Sequence, residues 1–206
     1  MARTSHQSKT KLLDAALNVF RAQGYTATTV DDICREAGVT KGSFFHHFKG
    51  KEELAIEATE HWSTVTGGLF ASAPYRQVAD PRERVLAYLD FRTAILCGEL
   101  PEFTCLLGTM VQETFETHPA LREACKKGID VHAKEVAADI ELAKNSYAPN
   151  AEWSAESLAF YTQATIQGAF ILAKANGGPE VALQCLAHLR RYVEFLLSDA
   201  SASPLS

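Results

Sequence analysis

Apolar positions in the first seventy residues recur at helical spacing. Leu12, Leu13, Ala16, Leu17, Val19 and Phe20 follow one another every three or four residues, and Gly24 stands where a left-handed residue closes a helix. The spacing predicts a helix over 6–23. In TTVDDICREAG, hydroxyls able to cap precede Asp31 and Asp32, acids that the helix dipole favours in a first turn, and Gly38 ends the run. A short helix over 30–37 follows. Thr40 is the next N-cap, so a helix over 41–47 starts only about three residues after its predecessor, and two short helices joined this tightly form a helix-turn-helix. KGKEELAIEATEHW then opens a longer amphipathic helix over 51–70.

The rest of the chain keeps the same period. Asp80-Pro81, a cap followed by a first-turn proline, starts a helix to about Cys97. Pro101 and His118-Pro119 punctuate the next two, the second reaching about Ser146. Ser154 caps a helix to Ala175, Gly177-Gly178 break it, and Pro179 opens the last, ending near Leu197. Alternating strand patterns and internal repeats are missing, and the tail 199–206 reads as disordered. The expectation is an all-α chain of about nine helices: a three-helix head over 1–51, and a larger helical body over 52–198 whose first helix, 52–70, connects the two.

Composition sharpens this picture mainly through charge. The chain carries −5 overall, but residues 1–51 carry +4 and the remainder −9, the arrangement expected when only the head meets a polyanion. Five cysteines are scattered singly, which suggests neither a disulfide framework nor a thiolate metal site. No apolar run approaches bilayer length and the start lacks an apolar signal core, so the reading places the chain in the cytoplasm. There is no HExxH, no GxSxG and no phosphate-cradling glycine loop, and adjacent His46 and His47 diverge by about 100° on a helix, too far to share a metal. No enzyme, cofactor or metal is expected.

The stretch AGVTKGSFFHHF carries the candidate chemistry. The second helix of a helix-turn-helix presents its N-terminal residues to base edges while neighbours hold phosphates. Gly42 lets backbone approach DNA, Ser43 offers a hydroxyl, Thr40 can cap and reach a phosphate, and Lys41 adds charge at the same end. Phe44 and Phe48 share a face that pins the helix to its neighbours, which turns Phe45 and His46 towards the DNA backbone.

From about Thr10 to Leu54, LLDAALNVFRAQGYTATTVDDICREAGVTKGSFFHHFKGKEEL resembles the DNA-binding domain of the TetR family of bacterial transcriptional regulators, through helix one, the Gly24-Tyr25 turn, the Thr29-Val30 start and the recognition helix. The resemblance implies phosphate contact by Thr29, Thr40, His46 and Lys51, and base contact by Lys41, Gly42 and Ser43. Phe45 departs from the pattern, standing where many members have a phosphate-bonding tyrosine; stacking or sugar contact remains to it. The resemblance also implies a body that dimerises and holds a small molecule. A two-fold dimer would set two recognition helices about 34 Å apart on a palindromic operator. The function implied is a repressor released when a ligand makes the 51–70 helix swing the heads out of register.

Candidate dimer residues are Leu158, Tyr161, Thr162, Thr165, Ile166 and Ala169, with Leu183, Leu186, Leu189, Val193 and Leu197; the same stripes could instead close the monomer core. Candidate pocket residues are Trp62, Phe91, Phe103, Cys105, Met110, Tyr161 and Phe170. FTCLLGTMVQE at 103–113 is similar to a motif in a TetR subgroup that answers electrophilic or oxidised compounds. Cys105, with Lys174 as a cationic neighbour, is then either a sensing thiol or an inert buried cysteine. The rival to a ligand-linked regulator is an architectural DNA-binding protein, whose affinity would be dominated by phosphates and steeply salt-dependent.

Overall fold

The computed structural model describes residues 2–198; the expected disordered tail lies outside the described residues. Among the described residues there are ten α-helices, one 3-10 turn and no strand. They are α1 (Ala2–Gln23), α2 (Val30–Ala37), α3 (Lys41–His47), α4 (Lys51–Ala71), the turn Pro74–Gln77, α5 (Pro81–Ala94), α6 (Leu100–Phe103), α7 (Leu106–Thr114), α8 (Pro119–Tyr147), α9 (Ala155–Asn176) and α10 (Glu180–Leu196).

The all-α expectation is met, and the extra helix arises between Pro101 and His118. There Thr104 has extended backbone, φ −81° and ψ 155°, and Cys105 begins a new helix whose Gly108 N–H donates to its Sγ at 3.5 Å. A sulfur cap is weak and leaves no signature in the sequence, so one segment reads as continuous where the backbone breaks. Gly108 is therefore a first-turn residue of α7.

The chain divides into two compact units. The first comprises residues up to 68 together with 99–129, the second 69–98 together with the chain from 130 onward. In the first, Leu12, Phe20, Ile33, Phe44, Phe48 and Leu54 share one buried cluster with Leu106, Met110, Leu121 and Cys125. The head thus builds its core with α7 and the start of α8, and the compact unit continues well past residue 51.

In the second unit α10 packs against α5 and α9, burying Val85, Leu86, Leu89, Leu158, Ile166, Leu186, Leu189 and Val193. This corrects the expected dimer stripe. Leu158, Thr162, Ile166, Leu186, Leu189 and Val193 are buried within the chain itself and Thr165 is half-buried, so the stripe closes the monomer core. Of the expected stripe Tyr161 does face outward, and the outward faces of α9 and α10 carry with it Phe160, Ile171, Leu172, Tyr192 and Phe195, the last 73% exposed. Tyr161 and Tyr192 meet ring to ring at 5.2 Å. Periodicity finds an apolar helix face but does not say which of two such faces turns inward.

A polar chain runs through the second unit. The Tyr88 hydroxyl lies 3.0 Å from His132 Nε2, and Gln163 Nε2 donates to the same hydroxyl at 3.4 Å. Burial, then the positive charges of Arg92 and Arg76, push His132 from its ordinary value near 6.5 down to about 3. Between those values the unfolded chain binds a proton that the folded chain refuses, so stability is full above about pH 6.5 and erodes as pH falls towards 3. His132→Leu is expected to flatten this acid limb; melting curves at pH 7 and pH 5 that fall in parallel for both proteins would count against it.

Candidate nucleic-acid interface

Each short helix of the head is built by its cap. Thr29 Oγ1 accepts the Asp32 N–H at 3.2 Å, while Asp32 Oδ2 accepts the Thr29 N–H at 2.9 Å and its hydroxyl at 2.6 Å. These bonds from Thr29, with Arg35 beside them, hold the Asp32 carboxyl well below the usual carboxylate range. Gly38, at φ +62°, closes α2 through its N–H to Arg35, and Val39 N–H reaches Cys34 O at 3.0 Å, turning the chain directly into α3. Thr40 then caps α3 by accepting the Ser43 N–H at 3.2 Å.

The result is a seven-residue helix pinned by one face. Phe44 and Phe48 are buried at 0% and 1% exposure with ring centroids 5.7 Å apart, and Phe45 projects outward at 58%. Lys41 and His46 are exposed, Ser43 is half-buried, and Lys41 Nζ pairs with Asp31 at 2.8 Å. A Cβ on Gly42 would meet nothing closer than Thr40 Oγ1 at 3.8 Å, so no contact within the chain requires glycine there.

Lys51, an expected phosphate contact, is also engaged within the chain. Its Nζ donates to Tyr25 O at 2.8 Å and Thr28 O at 2.7 Å and sits 4.3 Å from the Tyr25 ring centre, and burial lowers its pKa. It fastens the turn between α1 and α2 onto the start of α4. The same turn is held from α7, where Glu113 Oε1 accepts the Tyr25 N–H at 3.2 Å and Oε2 accepts the Thr26 N–H at 2.8 Å. Arg21, stacked on Trp62, donates to Glu102 O at 3.1 Å. Glu113 and Arg21 carry no local signal in the sequence, because their partners lie 88 and 81 residues away.

The expected pocket residues are divided between the two units. Trp62, Phe103, Cys105 and Met110 belong to the first unit, where Met110 is fully buried core; Phe91, Tyr161 and Phe170 belong to the second, where Tyr161 lies on the outward face. Cys105 is half-buried in the first unit, whereas Lys174 is exposed in the second. Among the described residues no three His, Cys, Asp or Glu side chains cluster to hold a metal, and no helix is long and apolar enough to cross a membrane.

An all-helical chain with a capped helix-turn-helix and a bare, outward recognition-helix start has the form of a DNA-binding transcriptional regulator. Residues 12–58 match the bacterial regulatory proteins of the tetR family, and residues 81–187 match the C-terminal domain of LmrA/YxaF-like transcriptional regulators. The chain belongs to the TetR family of transcriptional regulators, whose members act on transcription and are not enzymes. It is 30% identical over 171 residues to the uncharacterized HTH-type transcriptional regulator YxaF of Bacillus subtilis, covering 82% of this chain and 86% of YxaF. It is 36% identical over 124 residues to the HTH-type transcriptional regulator LmrA of the same organism, a match spanning 57% of this chain but 63% of LmrA. A TetR transcriptional regulator from Chloroflexus aurantiacus shares the fold with a TM-score of 0.80 at 24% identity, over 93% of this chain and 96% of that one.

Proposed function

We propose that the protein is a homodimeric repressor that occupies a palindromic operator and is released by a small molecule. The observation that carries the reading is the start of α3: Gly42 is glycine without any need from the chain's own packing, and Thr40, Lys41 and Ser43 surround it. That absence of a side chain serves something outside the chain, and the close approach of backbone to a base edge is what a recognition helix requires. Ser43 and Lys41 read bases there, and Thr29, Thr40 and His46 contact phosphates, with Phe45 against the sugars. Dimerisation is supported by the outward apolar faces of α9 and α10, which a second copy would cover through an isologous contact. Release is supported by two helices, α4 and α8, that contribute residues to both units, and by Glu113 of α7 holding the head's turn.

Selection of bound duplexes from a random pool at near-physiological salt tests the reading. An enriched palindrome is expected; binding without enrichment that vanishes as salt rises would leave an architectural DNA-binding protein instead. On the selected operator, Ser43→Ala is expected to shift base preference by about 1–3 kcal/mol at one position while leaving Tm unchanged. Lys51→Ala is expected to weaken every sequence evenly and to lower Tm, since two carbonyls lose their donor. Identical preference profiles together with identical melting for the two variants would refute these roles.

A second reading, a thiol switch, is favoured by one feature: Cys105 Sγ sits at the start of α7, in the unit that holds the head, with the Arg21 charge close enough to interact. Unchanged release of DNA by oxidants in Cys105→Ser would dismiss it.

A further inference from the structure

The second unit contains a guanidinium whose counter-ion is missing. Arg92, on α5, is 9% exposed, and its charged group lies 5.2 Å from the Phe70 ring centre and 5.9 Å from that of Phe170. Among the described residues no carboxylate or carbonyl is paired with it. Other arginines of this unit are served differently: Arg76 meets Asp139 at 2.9 Å, Arg84 meets Asp139 at 3.4 Å and Arg190 meets Asp90 at 2.7 Å. The sealed side-chain nitrogens without a hydrogen bond among the described residues are Arg82 Nε and Arg84 Nε, the latter in ionic contact with Asp139, and no Arg92 nitrogen is among them. The Arg92 donors therefore keep some solvent contact, although the residue is nine-tenths buried.

The hydrogen-bonding groups beside it are neutral, and the nearby Glu135 carboxylate is engaged by Arg76 at 3.9 Å and His132 at 4.0 Å. Burial pushes the Tyr88 phenol up and the His132 imidazole down to about 3, so both are neutral near pH 7, and Gln163 is neutral by nature. Aromatic faces offset only part of the desolvation cost of a guanidinium. A planar fork with free donors, flanked by two rings and backed by neutral hydrogen-bonding groups, is complementary to a carboxylate carried on an apolar, ring-bearing body.

We propose that the core of the second unit is the effector site and that it takes an aromatic carboxylate, whose oxygens pair with Arg92, whose rings lie against Phe70 and Phe170, and whose polar substituent meets the chain formed by Tyr88, His132 and Gln163. This assignment rests on the ligand-release reading above and names the chemical class of the ligand.

Calorimetric titration of the full chain with benzoate, salicylate and 2-naphthoate, each beside its amide, tests it. At least one carboxylate is expected to bind saturably and at least about tenfold more tightly than its amide, the ratio that corresponds to 1.4 kcal/mol. Arg92→Gln is expected to lose that preference, and Arg92→Lys, which keeps the charge without the fork, to retain part of it. Without ligand, Arg92→Gln should melt roughly 2–4 °C above the parent, because an uncompensated charge has left the core; an arginine serving packing alone would shift Tm downward. Equal binding of acids and amides, undiminished binding by Arg92→Gln, or no binding across the panel overturns the proposal, and if the glutamine variant does not fold, the lysine variant decides. A chain that selects a palindrome yet ignores the panel loses this assignment and keeps the operator reading. A chain that binds carboxylates through Arg92 without enriching any palindrome does the reverse.

Discussion

Phe44→Ala is expected to lower the melting temperature by roughly 6–20 °C and to abolish DNA binding. Removing a fully buried ring costs about 3–5 kcal/mol, and for a chain of this size each kcal/mol is worth roughly 2–4 °C. The site offers little room for repair, because Phe44 is 0% exposed and packs against Phe48 in the cluster that also contains Phe20, Ile33 and Met110. At seven residues α3 is too short to persist alone, so its helical state derives from this docking. Phe45→Ala is the matched control: the neighbouring ring is 58% exposed and should change stability by no more than about 0.5 kcal/mol. Thermal melts followed by circular dichroism, with DNA binding measured well below both midpoints, separate the two. Equal melting of the two variants would mean that α3 is held by its caps and not by its ring.

The contrast between those two adjacent phenylalanines was legible in the sequence because it depends on local spacing. Phe44 and Phe48 are one helical turn apart, Thr40 and Gly38 bracket the turn, and short-range rules alone predict which ring goes inward. Caps at Thr29, Asp80 and Ser154 were readable for the same reason, since each acts on a backbone N–H only a few residues away. The break at Thr104 was not, because a cysteine cap has no composition of its own and Pro101 alone does not fix where a helix resumes.

Wherever two apolar faces or two distant segments compete, sequence loses its hold. The stripe through Leu158, Ile166, Leu189 and Val193 was identified as apolar, but its direction depends on α5 lying against it, which periodicity does not encode. The expected pocket mixed residues of both units because aromatic character marks core and binding site alike. Arg92 carries no signal in the sequence, since an arginine in a helix reads as surface; only its burial without a carboxylate partner among the described residues gives it meaning. Lys51 shows the reverse case, a basic residue at the expected place whose bonds to Tyr25 and Thr28 within the chain no local pattern announces.

Gly24→Ala is expected to destabilise the head by about 2–4 kcal/mol, a figure with two separable parts. Gly24 sits at φ +86°, where a side chain costs roughly 1–2 kcal/mol. The new Cβ would also lie 2.2 Å from Glu113 Oε1 and force that carboxylate away from the Tyr25 and Thr26 N–H groups, each a charge-assisted bond in a partly exposed place, for about another 1–2 kcal/mol together. Glu113→Ala removes the bonds but adds no strain, so it should cost only the second part. The two changes share that part, and the double variant should therefore be less destabilised than the sum of the singles by about 1–2 kcal/mol. Denaturant titrations of the four proteins measure the cycle. Strict additivity would show that the carboxylate does not hold the turn, and would remove one support of the proposed release of DNA.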